Sequence, residues 1–238
     1  DGHIIAAAEW PSVDPNDVDG SESDDRGSRI FAAPYEPGST IKSLSFAAMF
    51  DAGVTTPSDQ VIAPRSYPTI GSYRIGDAWD HGDLRLTSAG VLMNSSNTGT
   101  AVLSERLSLQ QRYDYLTRFG LGESTGVSFL GEASGSVRDP DSIDGHSAVT
   151  QMFGQGMTAT SAQVASAYQA IANGGVRTPL TLVTGCDHAD GSTTHVAATE
   201  PTRVVSENAA RATVGILEEV VTEGWLRPIL EIPGYRVA

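Results

Sequence analysis

Residues 35–42 read YEPGSTIK, and Lys42 at the end of this stretch is the only lysine in a chain that otherwise carries its positive charge on 14 arginines. Pro37-Gly38 breaks the chain, and Ile41, Leu44, Ser45, Ala48 and Met49 then recur at i, i+3 and i+4 as far as Gly53. That spacing predicts a helix that begins inside the quoted stretch. Residues three apart share a helix face, so Lys42 can reach Ser39. Ser39 itself falls at the helix N-terminus, beside unpaired N–H groups and the positive end of the dipole. The same positive end, together with burial, lowers a lysine toward the range in which its neutral amine takes up a proton. Arginine stays protonated in any protein environment, so a general base cannot be exchanged for it. Ser39 as nucleophile with Lys42 as base is one reading; a helix-capping serine and a surface lysine is the other. With 25 serines in 238 residues, a serine three places before the one lysine arises by chance about one time in ten. The spacing alone does not choose between them.

The composition, 39% hydrophobic and 18% charged, is that of an ordinary globular domain. A net charge of −14 argues against nucleic acid or an anionic membrane surface as partner. The single Cys186 excludes an internal disulfide and offers no metal-ligand spacing. No apolar run approaches the roughly 18 residues of a membrane span, and no signal peptide is present. Residues 3–10 read as an apolar strand from the outset, and IPGYRVA (232–238) reads as a turn entering a strand. Both ends are therefore expected to be cut from a longer protein.

Outward from the quoted stretch, residues 11–28 form a polar, acid-rich connector expected to be a solvated loop. Residues 54–86, rich in Pro, Gly and Asp, predict a long irregular excursion of the kind that borders a site. Helices are predicted over 87–93, 98–107, 109–119, 160–173 and 206–222, with the alanines of the fourth allowing close packing. A hairpin is predicted around HADG (188–191). The order of elements predicts a mixed α+β domain with largely antiparallel pairing.

A second polar cluster, Asn94-Ser95-Ser96-Asn97, interrupts two helical stretches. Ser95 and Asn97, two apart in a tight turn, offer one space a hydroxyl to relay a proton and an amide to hold a peptide group; as helix caps they need no chemistry at all. Taken in order, YEPGSTIK, NSSNTG and FGQGMTATSAQVASAYQAIANGG (153–175) resemble the transpeptidase domain of class B penicillin-binding proteins, a group with a Ser-x-x-Lys signature. The resemblance runs from GHIIAAAEW through PSVDPND to IPGYRVA.

The resemblance implies an α+β fold of the penicillin-binding protein and serine β-lactamase type, an antiparallel sheet flanked by helices with an all-helical subdomain carrying the Ser-x-Asn turn. It implies one transpeptidase domain over 1–238, lacking an N-terminal anchor and a C-terminal Lys-Thr-Gly strand. Ser39 would attack the D-Ala-D-Ala end of a peptidoglycan stem peptide, Lys42 would take its proton, Ser95 would relay a proton to the leaving nitrogen and Asn97 would hold the substrate backbone. β-Lactams would acylate Ser39. Cell-division or elongation membrane proteins would be partners, on the extracytoplasmic face of a bacterial membrane. No cofactor and no metal are expected. Gly154 and Gly156 would serve tight packing near the cleft.

The chain departs from the family in two places. With Lys42 alone it contains no Lys-Thr-Gly, which the resemblance places directly after a segment like IPGYRVA, so the piece is expected to be incomplete for activity. TEGWLRPILE (222–231) also lacks the small residues expected there. Elsewhere Asp80-His81-Gly82-Asp83 resembles a cleft-bordering loop. His188, Asp190 and His195 are expected to be a solvated turn rather than a metal site, and Trp10, Trp79 and Trp225 are expected to be packing residues. A serine β-lactamase, a β-lactam sensor and a non-catalytic cell-division interaction module are the alternatives to a transpeptidase.

Overall fold

The computed structural model describes residues 2–69, 72–196, 200–224, 227–230 and 232–238. A 3-10 turn, Gly38–Thr40, leads directly into helix α2 (Ile41–Asp51), and a short helix α1 (Arg29–Ala32) precedes it. Every residue of α2 from Ile41 to Met49 is buried, so this helix is not amphipathic but central. One side packs Ile41, Leu44, Ala47 and Ala48 against α5 (Leu109–Arg118), α7 (Ser161–Ala172) and α8 (Glu207–Thr222). The other packs Phe46 and Met49 against α3 (Ser88–Met93) and α4 (Asn97–Ser104). Each fully buried Leu, Ile, Phe or Met contributes about 1.5–3 kcal/mol. The two serines inside α2 are satisfied locally: Ser45 Oγ donates to Met152 O at 2.8 Å and Ser43 Oγ pairs with Tyr168 Oη at 3.0 Å.

The predicted helices form where the caps specify them. Thr87, Ser96, Ser108, Thr160 and Ser206 each accept an amide at a helix start, with capping boxes completed by Gln111 and Gln163. Ala167 and Ala170 of α7 are fully buried, as expected of a closely packed small-residue face. Two short helices, α6 (Ser147–Thr150) and α9 (Arg227–Leu230), complete the set described. Among the described residues no helix is long and apolar enough to cross a membrane.

Apart from isolated bridges, strand pairing among the described residues consists of four two-stranded antiparallel ladders. They join β1 (Gln60–Ala63) to β4 (Leu84–Thr87), β2 (Tyr67–Pro68) to β3 (Arg74–Ile75), β5 (Val176–Arg177) to β8 (Thr202–Arg203), and β6 (Gly185–Asp187) to β7 (Thr193–His195). The last is the hairpin around residues 188–191. Residues 3–10 do not form the expected strand. Only His3 bridges, in parallel, to Thr181, and Ile5 and Trp10 are 96% and 88% exposed. Ile4 N still donates to Thr181 O at 3.0 Å and Ile4 packs against Phe31, Ala162 and Leu180, but from Ile5 onward no ladder among the described residues takes the amides, and an apolar run without that pairing does not make a strand. The acid-rich connector is irregular apart from a single 3-10 turn, Ser23–Asp25. Trp225 and part of TEGWLRPILE lie outside the described residues.

Candidate active site

The turn carrying Ser39 is held from below. Gly38 N donates to Gly154 O at 2.9 Å, and a Cβ on Gly154 (φ +79°) would lie 2.1 Å from Gly38 O. Only glycine permits this approach. Glu36 Oε1 accepts from Gly156 N at 2.8 Å, Tyr35 pairs with Ala159 through two backbone bonds, and Tyr168 Oη donates to Thr40 O at 2.8 Å. The FGQG segment thus has the tight-packing role that the sequence assigned to it. Ser39 itself is exposed, at the edge of a cavity of about 590 Å³.

Lys42 projects into the same cavity, yet it is 1% exposed. Its Nζ donates to Ser95 O, to Ser95 Oγ at 3.0 Å and to Asn97 Oδ1 at 2.7 Å. The Phe153 ring centroid lies 5.8 Å away. Burial lowers Lys42 to about 8, against the nearby Asp77 carboxylate, which raises it. Ser39 and Lys42 line one cavity, but no hydrogen bond joins them here; the amine is turned to the 95–97 turn instead. Ser95 adopts φ +53°, the left-handed conformation that a serine enters at a cost of about 1–2 kcal/mol. That conformation lets the chain reverse between α3 and α4 while Ser96 stays fully buried as the cap of α4.

The Asp80–Asp83 loop contributes differently from the expectation. Asp80 pairs with Arg65 at 3.0 Å and Asp83 accepts from Arg65 N at 3.1 Å, both on the outside. The residues that reach the cavity are Ala78 and Trp79, so Trp79, at 40% exposure, is a cavity wall and not a packing residue. Nor is Trp10 a packing residue: it lies beyond the part of its segment that Ile4 ties to the core, and it stands in solvent. Sequence reasoning missed Asp77. Its Oδ1 accepts from Asn97 N at 2.5 Å and Thr98 N at 3.0 Å, while Asn97 Nδ2 donates to Gly76 O at 2.9 Å. The two amides that tie this aspartate to the site lie 20 and 21 residues away; its one local partner, His81, sits four residues on in an irregular loop where that spacing carries no helical signal.

The remaining candidates stay apart from the cavity. His188 Nε2 meets Thr194 Oγ1 at 2.7 Å and Asp190 accepts from Ser192, all on an exposed hairpin. Among the described residues no group of three or more His, Cys, Asp or Glu could hold a metal ion.

An exposed serine on a helix-initiating turn, a buried lysine with a lowered proton affinity, and a hydroxyl and an amide on that lysine are the kinds of group that nucleophilic acyl transfer uses. The family described as the penicillin binding protein transpeptidase domain matches residues 1–238. The chain belongs to this family. As a transpeptidase domain of the class B type, it is 35% identical to penicillin-binding protein PbpB of Mycobacterium tuberculosis, over all of this chain and 36% of that protein. It is 30% identical to peptidoglycan D,D-transpeptidase FtsI of Escherichia coli, over all of this chain and 38% of that protein. The chain therefore spans under two-fifths of the length of these curated relatives. Among solved structures, a peptidoglycan synthetase from Bifidobacterium adolescentis superposes with a TM-score of 0.83 at 31% identity, covering 88% of this chain and 38% of that one. Penicillin binding protein 3 from M. tuberculosis, complexed with aztreonam, superposes at 0.79 and 35% identity, covering 91% and 47%. The α+β transpeptidase fold expected from the motifs is the fold of this chain.

Proposed function

We propose that this transpeptidase domain carries Ser39 as the nucleophile of a peptidoglycan D,D-transpeptidase. Ser39 Oγ attacks the carbonyl between the two terminal D-alanines of a stem peptide, and Lys42 Nζ takes its proton. The C–N bond breaks, the leaving D-alanine nitrogen receives a proton through Ser95 Oγ, and the stem peptide remains as an ester on Ser39. The amine of a second stem peptide then attacks the ester, freeing Ser39 and forming the cross-link. Asn97 holds the donor's backbone amide. A β-lactam follows the first half and stops there. In the whole protein the domain works on the extracytoplasmic face of the membrane, held by an anchor and by division or elongation proteins.

The observation that carries this reading is the one lysine of the chain, buried beside Ser95 and Asn97 at a cavity whose edge is Ser39. The cavity lining contains no carboxylate among the described residues. Without an acid to activate water, a long-lived acyl-enzyme is favoured over the turnover of a lactamase. The test is incubation of the full-length protein with a fluorescent penicillin, followed by gel and intact mass. A stable adduct that Ser39→Ala abolishes is expected; rapid release of hydrolysed drug would indicate a lactamase, and no adduct would leave only a binding role.

A further inference from the structure

Asp77 and His81 lie together behind the 95–97 turn, with side chains 0% and 6% exposed. Asp77 Oδ1 takes the first two amides of α4, and Oδ2 faces His81 Nε2 at 3.0 Å. His81 Nδ1 lies 2.5 Å from Gly82 O. Both ring nitrogens therefore face acceptors, and only the doubly protonated ring can donate to both. The Gly82 carbonyl, and after it the Asp77 and Asp80 carboxylates, raise His81 above its ordinary value in spite of burial. Asp77 is also the charge that acts on Lys42. Its Asn97 amide contact and the Asn97 Oδ1 contact to Lys42 Nζ make one continuous chain from His81 to the amine.

The other groups around this chain are few. Asp80 faces His81 and is itself paired with Arg65. From α8 the cavity receives Leu217 and Val220, from the 95–97 turn only neutral polar groups, and the 3-10 turn Gln151–Phe153 sets Phe153 against Nζ.

We propose that Asp77 and His81 form a buried ion pair that positions Asn97 and governs whether Lys42 keeps its proton. With His81 charged, Asp77 is neutralised and the amine can be free. With His81 neutral, the bare carboxylate holds the ammonium. The two titrations are coupled. The role given to Lys42 rests on the acyl-transfer reading above, but the electrostatic coupling does not.

Two readouts separate them. In the 238-residue chain grown with [13Cε]lysine, the single lysine gives a single NMR signal whose pH midpoint reports Lys42 directly. In the full-length protein, the acid limb of the pH profile for β-lactam acylation reports the same group through activity. Asp77→Asn keeps an acceptor for the two α4 amides but removes the charge, so the Lys42 midpoint is expected to fall by about one pH unit. His81→Gln removes the positive partner, so the midpoint is expected to rise. A purely structural role would lower the acylation rate in both variants without moving either midpoint or limb. No movement, or movement in the same direction, overturns the proposal. Should Asp77→Asn fail to fold, His81→Gln decides alone: a rise supports the pair, anything else removes it. Opposite NMR shifts in a protein that never acylates would leave the ion pair standing and the transpeptidase reading fallen.

Discussion

Lys42 shows how far one side chain can be specialised. It gives up hydration for three oxygen acceptors and an aromatic ring, and burial brings its amine to about 8. A base must be unprotonated, so the acylation rate is expected to rise with pH through about 8 and to fall about tenfold per pH unit well below it, measured with a fluorescent penicillin across a buffer series. Lys42→Arg keeps the charge and loses the ability to give it up. Its acylation rate is expected to drop by about 10³-fold at every pH, whereas a lysine that served only in packing would leave the profile intact. Ser39, Lys42, Ser95 and Asn97, which helix-boundary spacing offered as candidates and the family resemblance singled out, line one cavity in the structure. Asp77 and Trp79 were not legible, since what ties them to the cavity lies far along the chain, and the local contacts both make to His81 fall in an irregular loop with no periodic signal.

Elements are locked to each other at two junctions that can be tested. The first is the glycine contact beneath Ser39. Gly154→Ala would combine a left-handed backbone with a Cβ 2.1 Å from Gly38 O, so a loss of more than about 2 kcal/mol and a displaced Ser39 turn are expected, read by thermal melting and acylation together. Gly126 is the control: it too is left-handed, at φ +82°, but nothing lies within 4 Å of its Cβ position, so Gly126→Ala is expected to cost only about 1–2 kcal/mol and to leave acylation alone. The second junction is Asp51 at the end of α2, which accepts from Tyr115 Oη of α5 at 2.8 Å and from Ser206 N, the cap of α8, at 2.7 Å. These bonds outweigh the effect of partial burial and hold Asp51 below its ordinary value. Its stabilisation is therefore present above the ordinary Asp range and lost as pH falls through the folded value. Asp51→Ala is expected to cost about 1.5–3 kcal/mol near neutrality, with the difference from the parent shrinking in acid, as followed by denaturant titration at several pH values. The helices were readable because α-helices declare themselves in local periodicity and caps. The 188–191 hairpin was readable because its turn residues are local; the other ladders were not, because pairing over two to four residues depends on what lies opposite, and residues 3–10 look like a strand although their pairing stops after Ile4.

At the scale of the whole molecule, a net charge of −14 sits on a framework whose arginines pair with only some of its acids. Self-repulsion of this kind is screened within about 10 Å at 0.1 M salt. The melting temperature is therefore expected to rise by a few degrees between about 10 and 150 mM sodium chloride, as calorimetry would show; a fall would mean that the surface ion pairs outweigh the repulsion. The family resemblance was readable across the whole chain because its motifs are spread through separate segments, and their order constrains the fold more than any one of them does. The solitary lysine has a further consequence for the surface: no ε-amine is on it. Reagents that acylate or methylate lysine meet none on the exposed face of this chain, and the one they can modify is 1% exposed. Their rate at that position, read by peptide mapping apart from the faster-reacting N-terminal α-amine, becomes a clock for the opening of the cleft.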